Sequence, residues 1–234
     1  PQKEAQRSLP VLIERTLPHS LMVNRQGKRF CNEANNYSAL AGAFQSFDPA
    51  TYGYHNLPAY LIMDSQYLRR YPIASVMPGD PLPDWIVEAA DLPTLANTLG
   101  VDAEQLETTV SAFNAHATNA KDPDFGRGES AYDRFYGDRS RPGAAATLGS
   151  VEVGPFYAVE INMGALGTNG GAKTNGTAQI LDVHGEVIPG LYGAGNVISN
   201  PTGSVYAGAG GTLGPTLTFG YIAGKSAAQS ENAE

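Results

Sequence analysis

A chain of 234 residues with 42% apolar content has the means for one large domain or a domain plus a segment, while 16% charged content is low for a free-standing soluble domain. A formal charge of −8 argues against nucleic-acid backbones and anionic membranes as partners. No apolar run reaches the ~18–20 residues that span a bilayer, and the single Cys31 excludes an internal disulfide and suits a reducing, cytoplasmic compartment.

Residues 1–36 read as extended pieces and turns. Leu21-Met22-Val23 has strand character, and Asn24-Arg25-Gln26-Gly27-Lys28 supplies turn chemistry. A second strand is expected over 59–63, with Asp64 placed to cap a turn over 65–70. The proline-rich stretch 72–84 reads as a loop, and Leu95 and Leu99 share a short helical face. Asp102 with Gln105 three places on forms a capping-box pattern, and Leu106, Val110 and Phe113 follow at helical spacing. Residues 119–149 are rich in turn formers. Phe156-Tyr157-Ala158-Val159-Glu160-Ile161 reads as a strand, and residues 178–188 as a hairpin turning at His184-Gly185.

The end of the chain is the most telling stretch. Pro189-Gly190-Leu191-Tyr192-Gly193-Ala194-Gly195-Asn196 is a strand-like run that closes in small residues. The cluster Gly208-Ala209-Gly210-Gly211-Thr212-Leu213-Gly214-Pro215 then opens a helix expected over 212–228. Glycine lets a backbone press close to a ligand, and a helix N-terminus offers N–H groups and positive dipole to an electron-rich one. These features describe one wall of a cofactor pocket. No G-x-G-x-x-G fingerprint accompanies it, because Ile198 stands where the third glycine after Gly193 and Gly195 belongs. The chain also opens on Pro1 rather than Met, as expected for the C-terminal portion of a longer protein whose nucleotide-binding half is absent.

Four blocks carry a family resemblance. They are Gly27-Lys28-Arg29-Phe30-Cys31-Asn32-Glu33, the stretch from Leu99-Gly100-Val101-Asp102 through Asp122-Pro123-Asp124-Phe125-Gly126-Arg127-Gly128, the run from Gly154-Pro155-Phe156-Tyr157 to Gly167-Thr168-Asn169-Gly170-Gly171, and the glycine-rich end. In this order they resemble the flavoprotein superfamily of fumarate reductases and 3-ketosteroid dehydrogenases. The fold implied is α+β: a substrate-capping domain over 1–167, then residues 168–234 returning as strand, loop and helix to a split, Rossmann-like FAD-binding domain. The implied cofactor is FAD, held here by Gly195, Asn196, Gly211, Thr212 and Leu213, with Asn196 directed at ribityl or ribose hydroxyls.

Departures choose the branch. Fumarate reductases place a His where Gly167 stands and an Arg ahead of the glycine pair, whereas residues 203–210 contain neither. A dicarboxylate needs such charge-assisted partners. The resemblance to ketosteroid dehydrogenases instead implies Tyr206 and the Gly210 N–H as an oxyanion hole and Tyr37 as the base, with Tyr52 and Tyr54 as alternatives facing the substrate. Ala207 replaces the proline usual after that tyrosine. The implied reaction desaturates a hydrophobic, steroid-like ketone, with the α-proton leaving to a base and the β-hydrogen leaving as hydride to flavin N5. The electron acceptor is unknown. An enone or fumarate reductase-like enzyme and a truncated, non-catalytic chain are the alternatives.

Other residues carry plainer expectations. Glu33 is structural or flavin-adjacent, Cys31 is a buried inert thiol, and His116 is a helix-surface histidine. The four histidines show no metal-ligand spacing. Gly220 and Gly224 form a small-residue face suited to packing against a sheet.

Overall fold

A computed structural model describes residues 9–203, 206 and 208–230. The chain divides into two compact units, Pro1–Met163 and Gly164–Glu234. In the first, a short 3-10 turn at Glu14–Thr16 leads into β1 (Ser20–Asn24). Next come α1 (Tyr37–Phe44), the small hairpin of β2 (Phe47–Asp48) and β3 (Gly53–Tyr54), and β4 (Ala59–Asp64) running into α2 (Ser65–Leu68). The unit continues with β5 (Val87–Ala89), α3 (Leu92–Leu99), α4 (Ala103–Thr118), α5 (Ala131–Phe135), a 3-10 turn at Gly143–Ala146, and β6 (Phe156–Ile161). The second unit holds the hairpin of β7 (Gln179–Leu181) and β8 (Val187–Tyr192), a 3-10 turn at Gly195–Val197, and α6 (Leu213–Ser230).

The first unit is built on one antiparallel sheet in the order β1-β4-β6-β5. Side chains alternate across a strand, so a sheet covered on both faces needs apolar residues at successive positions. Leu21, Val23, Tyr60, Ile62 and Ala158 pack with Leu106, Val110 and Phe113 of α4 on one face. Met22, Leu61, Met63, Tyr157 and Val159 pack with Leu40 and Phe44 of α1 and with Tyr67 and Tyr71 on the other. The expected strands at 21–23, 59–63 and 156–161 all lie in this sheet.

Two side chains end or start elements as expected. The fully buried Asp64 carboxylate accepts from the Gln66 N–H at 2.9 Å, and from the Glu152 and Val153 N–H groups at 2.9 and 3.0 Å. Asp102 caps α4 by accepting from the Gln105 N–H at 2.9 Å. Only that half of the capping box forms, since the Gln105 amide donates to Thr109 instead. Gly27, at φ +74°, closes the turn after β1 where an added Cβ would lie 2.9 Å from the Leu106 nitrogen; only glycine allows that approach.

Three expectations change. The turn-rich stretch 119–149 contains α5, capped by Ser130 accepting from the Asp133 N–H. The helix expected from 212 starts at Leu213 and reaches Ser230. Gly220 and Gly224 meet no atom within 4 Å of an added Cβ, so that face of α6 packs on no sheet among the described residues. No described helix is long and apolar enough to cross a membrane.

Candidate functional site

In the first unit, the stretch from Arg29 to Tyr37 is held by buried charge. Arg29 donates Nε and Nη2 to the two Glu33 oxygens at 2.9 and 2.8 Å, and Nη1 and Nη2 to Asp122 at 3.0 and 2.8 Å. Its guanidinium also stacks between Phe113 and Phe125, at 4.9 and 5.0 Å from the ring centres. Glu33, fully buried, further accepts from the Met22 N–H at 3.1 Å and pairs with Arg127 at 3.1 Å. Arg127, itself fully buried, donates to the Ser20 and Leu17 carbonyls at 2.8 and 2.9 Å. Arg15 donates to the Glu33 carbonyl.

Burial pushes the Glu33 carboxyl upward, and the Arg29 and Arg127 guanidiniums outweigh it, holding the group below the usual carboxylate range. Glu33 is therefore a structural anion, with its oxygens saturated by donors from three segments. Burial likewise raises the Cys31 thiol well above its ordinary value, which keeps it unreactive.

This arrangement fixes the turn that leads to Tyr37. The Asn32 side-chain oxygen accepts from the Ala34 N–H at 2.9 Å, and its amide donates to Asp133 at 3.0 Å. Asn36 caps α1 by accepting from the Ser38 N–H at 2.8 Å. Tyr37 is the first residue of α1 and is half-buried, while Tyr52 is 87% and Tyr54 45% exposed on the β2–β3 hairpin.

His116 is half-buried near the end of α4, with 19% of its side chain exposed. Its Nδ1 is enclosed, has no hydrogen-bond partner among the described residues, and lies 3.6 Å from both Asp122 and Asp124. These three groups offer donor atoms within 4.8 Å of one another, a grouping that the scattered histidines hid in the sequence. Arg29 already neutralises Asp122 there.

In the second unit, the glycines do two kinds of work. Gly193 and Gly171 permit contact: an added Cβ would lie 2.6 Å from the Ile180 and Ile198 side chains, and 1.8 Å from the Val197 carbonyl oxygen, respectively. Gly208 and Gly210 take φ of +100° and +88°. Among the described residues, an added Cβ at Gly210 or Gly214 would meet nothing within 4 Å. Gly195, at φ +74°, sits with Asn196 in the 3-10 turn beside the first turn of α6, 3.3 Å from the Thr216 hydroxyl oxygen for an added Cβ.

Gly211 is half-buried and donates its N–H to the Gly208 carbonyl at 2.9 Å, and Thr212 and Leu213 are exposed at the start of α6. Tyr206 is half-buried. The structure thus gathers Gly195, Asn196, Gly211, Thr212 and Leu213 around one helix end, whereas Tyr37 belongs to the other unit. What this helix end offers is close backbone approach and positive dipole, suited to a flat, electron-rich ligand.

Sequence reasoning missed the partners of Arg29 and Glu33. Arg127 and Asp122 lie about ninety residues away, and local periodicity carries no signal for such a pairing.

Comparison with known proteins agrees across the chain. Residues 3–213 match the FAD binding domain family. The chain is 48% identical over 216 residues to a 4-oxocyclohexanecarboxylate 2-dehydrogenase of Sinomonas cyclohexanicum, covering 92% of this chain and 38% of that protein. It is 44% identical to a 3-oxosteroid 1-dehydrogenase of Mycolicibacterium smegmatis, covering 91% and 38%. Among solved structures, it resembles the 3-ketosteroid delta1-dehydrogenase of Sterolibacterium denitrificans with a TM-score of 0.86 and 36% identity, covering 98% of this chain and 42% of that one. The chain thus spans about two fifths of the length of these relatives.

Proposed function

The chain belongs to the FAD binding domain family, and from that premise we propose that it forms the C-terminal portion of an FAD-dependent oxidoreductase that desaturates a cyclic ketone beside its carbonyl. The structural likeness to a ketosteroid dehydrogenase over nearly the whole chain carries this reading. Residues 1–167 would cap the substrate and 168–234 would complete the FAD-binding domain, a division close to that between the two compact units, which part at Met163 and Gly164.

The glycine loop and the start of α6 fit FAD. Among the described residues nothing lies within 4 Å of an added Cβ at Gly210 or Gly214, and the α6 dipole would favour electron density there. Gly195, Asn196, Gly211, Thr212 and Leu213 would hold the group, which when bound supplies a two-electron acceptor.

The rest is the chain's own chemistry. The Tyr206 hydroxyl and the Gly210 N–H donate to the ketone oxygen as negative charge grows on it. Tyr37 takes the α-proton. An ordinary tyrosine has a pKa of about 10, so its anion needs a stabilising donor to act as a base near neutrality. Gly167, in place of a carboxylate-binding His, and the lack of Arg or His over 203–210 favour a ketone over a dicarboxylate.

A second reading of the substrate, a single-ring keto acid, is favoured by the 48% identical relative. The test uses the reading frame extended upstream to include a nucleotide-binding half. The visible flavin band is followed without oxygen while a 3-keto-4-ene steroid or 4-oxocyclohexanecarboxylate is added. Bleaching by one of them selects the substrate class, and Tyr206→Phe is expected to slow it by about 100- to 1,000-fold. A bound flavin that stays oxidised with both compounds would overturn desaturation and turn attention to an enone reductase. Failure to hold flavin would indicate a non-catalytic chain.

A further inference from the structure

The roles above leave one buried carboxylate unused. Asp133, 2% exposed, accepts from the Asn32 amide at 3.0 Å, the Gly128 N–H at 2.9 Å and the Ser130 hydroxyl at 2.6 Å. It is thus anchored to its own loop by Gly128 and Ser130, and reaches across 101 residues of sequence to Asn32.

Asn32 is the pivot of the turn before α1. Its side-chain oxygen binds the Ala34 N–H, its carbonyl accepts from the Asn35 N–H at 3.1 Å, and Asn36 then caps the helix. The helix is only eight residues long, and its buried side chains, Leu40 and Phe44, are its fourth and eighth residues. Core packing at Leu40 and Phe44 fixes the inward face of α1, while the 32–36 turn sets where the helix begins and thus the backbone of its first residue, Tyr37.

We propose that Asp133 is a positioning residue for Tyr37, acting through its hydrogen bond to Asn32; this rests on the reading of Tyr37 as the base. Asp122 has the parallel role nearer the start of the same turn, through its paired bonds to Arg29. The stretch 122–133 is then an outer brace for the proton-abstracting residue, although none of its side chains need meet substrate.

Two substitutions separate this role from a merely structural one. Asn32→Ser keeps an oxygen for the Ala34 N–H but cannot reach Asp133. Asp91→Ala removes the cap of α3, where Asp91 accepts from the Thr94 N–H at 2.8 Å, and leaves the 122–133 stretch intact. In the flavin-bound protein with its upstream half, exchange of the ketone's α-hydrogen with deuterated water is measured without an electron acceptor, alongside kcat, KM and thermal unfolding.

Asn32→Ser is expected to slow exchange and kcat by about a hundredfold, the scale of a misplaced reacting group. KM should stay within about twofold, as when an interaction specific to the transition state is lost. Asp91→Ala should lower the melting temperature and leave both rates unchanged. Should Asn32→Ser not fold, Asp133→Ala, which removes the acceptor of the Asn32 amide, carries the same expectation. Wild-type exchange in Asn32→Ser, or equal slowing in Asp91→Ala, would overturn the proposal. A wild-type protein that exchanges no α-hydrogen overturns the reading of Tyr37 as the base itself, before any variant is compared.

Discussion

His19 illustrates how much one side chain can hold. Its backbone is left-handed, at φ +66°, and the ring is buried. The Nδ1–H donates to the Ser150 carbonyl at 2.7 Å, and Nε2 accepts from Arg141 at 2.8 Å, which requires the neutral ring. Burial holds its pKa below the ordinary 6.5, against the pull of the Ser150 carbonyl and Asp64. With the folded value depressed, the unfolded chain takes up the proton first. The stability contributed is complete above the unfolded value and is lost as pH falls toward the folded one. Thermal melts between about pH 7.5 and 5.5 should show that loss. His19→Asn should flatten the slope, because asparagine tolerates the left-handed backbone and carries no proton to gain. An unchanged slope would assign the acid sensitivity to another group.

Among the elements, α4 separates a cap that works from one that only looks complete. Asp102→Ala should cost about 1 kcal/mol, the usual worth of an N-cap. Gln105→Ala should cost less than about 0.5 kcal/mol, because its amide makes a long, 3.3 Å side-chain bond to Thr109 one turn on rather than capping the helix. Urea midpoints of the two variants check the difference. The strands and helices with strong periodicity were legible in the sequence: β1, β4, β6, α4 and α6 each bury or present a regular pattern. The α1 helix offers only Leu40 and Phe44 as buried residues, and α5 is five residues inside a stretch of turn formers, so neither left a periodic trace. At the candidate site, Gly195-Asn196 and the glycine cluster opening α6 were each legible along the chain, and the family resemblance is what joined them. The clamp on Arg29 and Asn32 was not legible, since it joins residues that only the fold brings together.

The two units of the molecule differ in how well they sustain themselves. The first has apolar clusters on both faces of its sheet. In the second, the buried apolar side chains among the described residues are Ala178, Ile180 and Ile198, while Leu213, Leu217 and Tyr221 of α6 are 66%, 71% and 73% exposed. Three small anchors bury too little to offset the entropy of ordering some seventy residues. A polypeptide of residues 9–163 is expected to unfold cooperatively on heating, and one of residues 164–234 to show no cooperative transition. Circular dichroism melts of the two pieces check this, and a sharp transition in the second would contradict it. The sheet order has a consequence for the chain while it is being made. β4 can pair with β1 as soon as it emerges, but its other neighbour, β6, follows about ninety residues later. At roughly 5–20 residues per second on a ribosome, that edge waits about five to twenty seconds for its mate. During translation the nascent hairpin therefore presents an open, apolar edge to every other chain nearby, and a pause in synthesis over 65–155 lengthens that hazard.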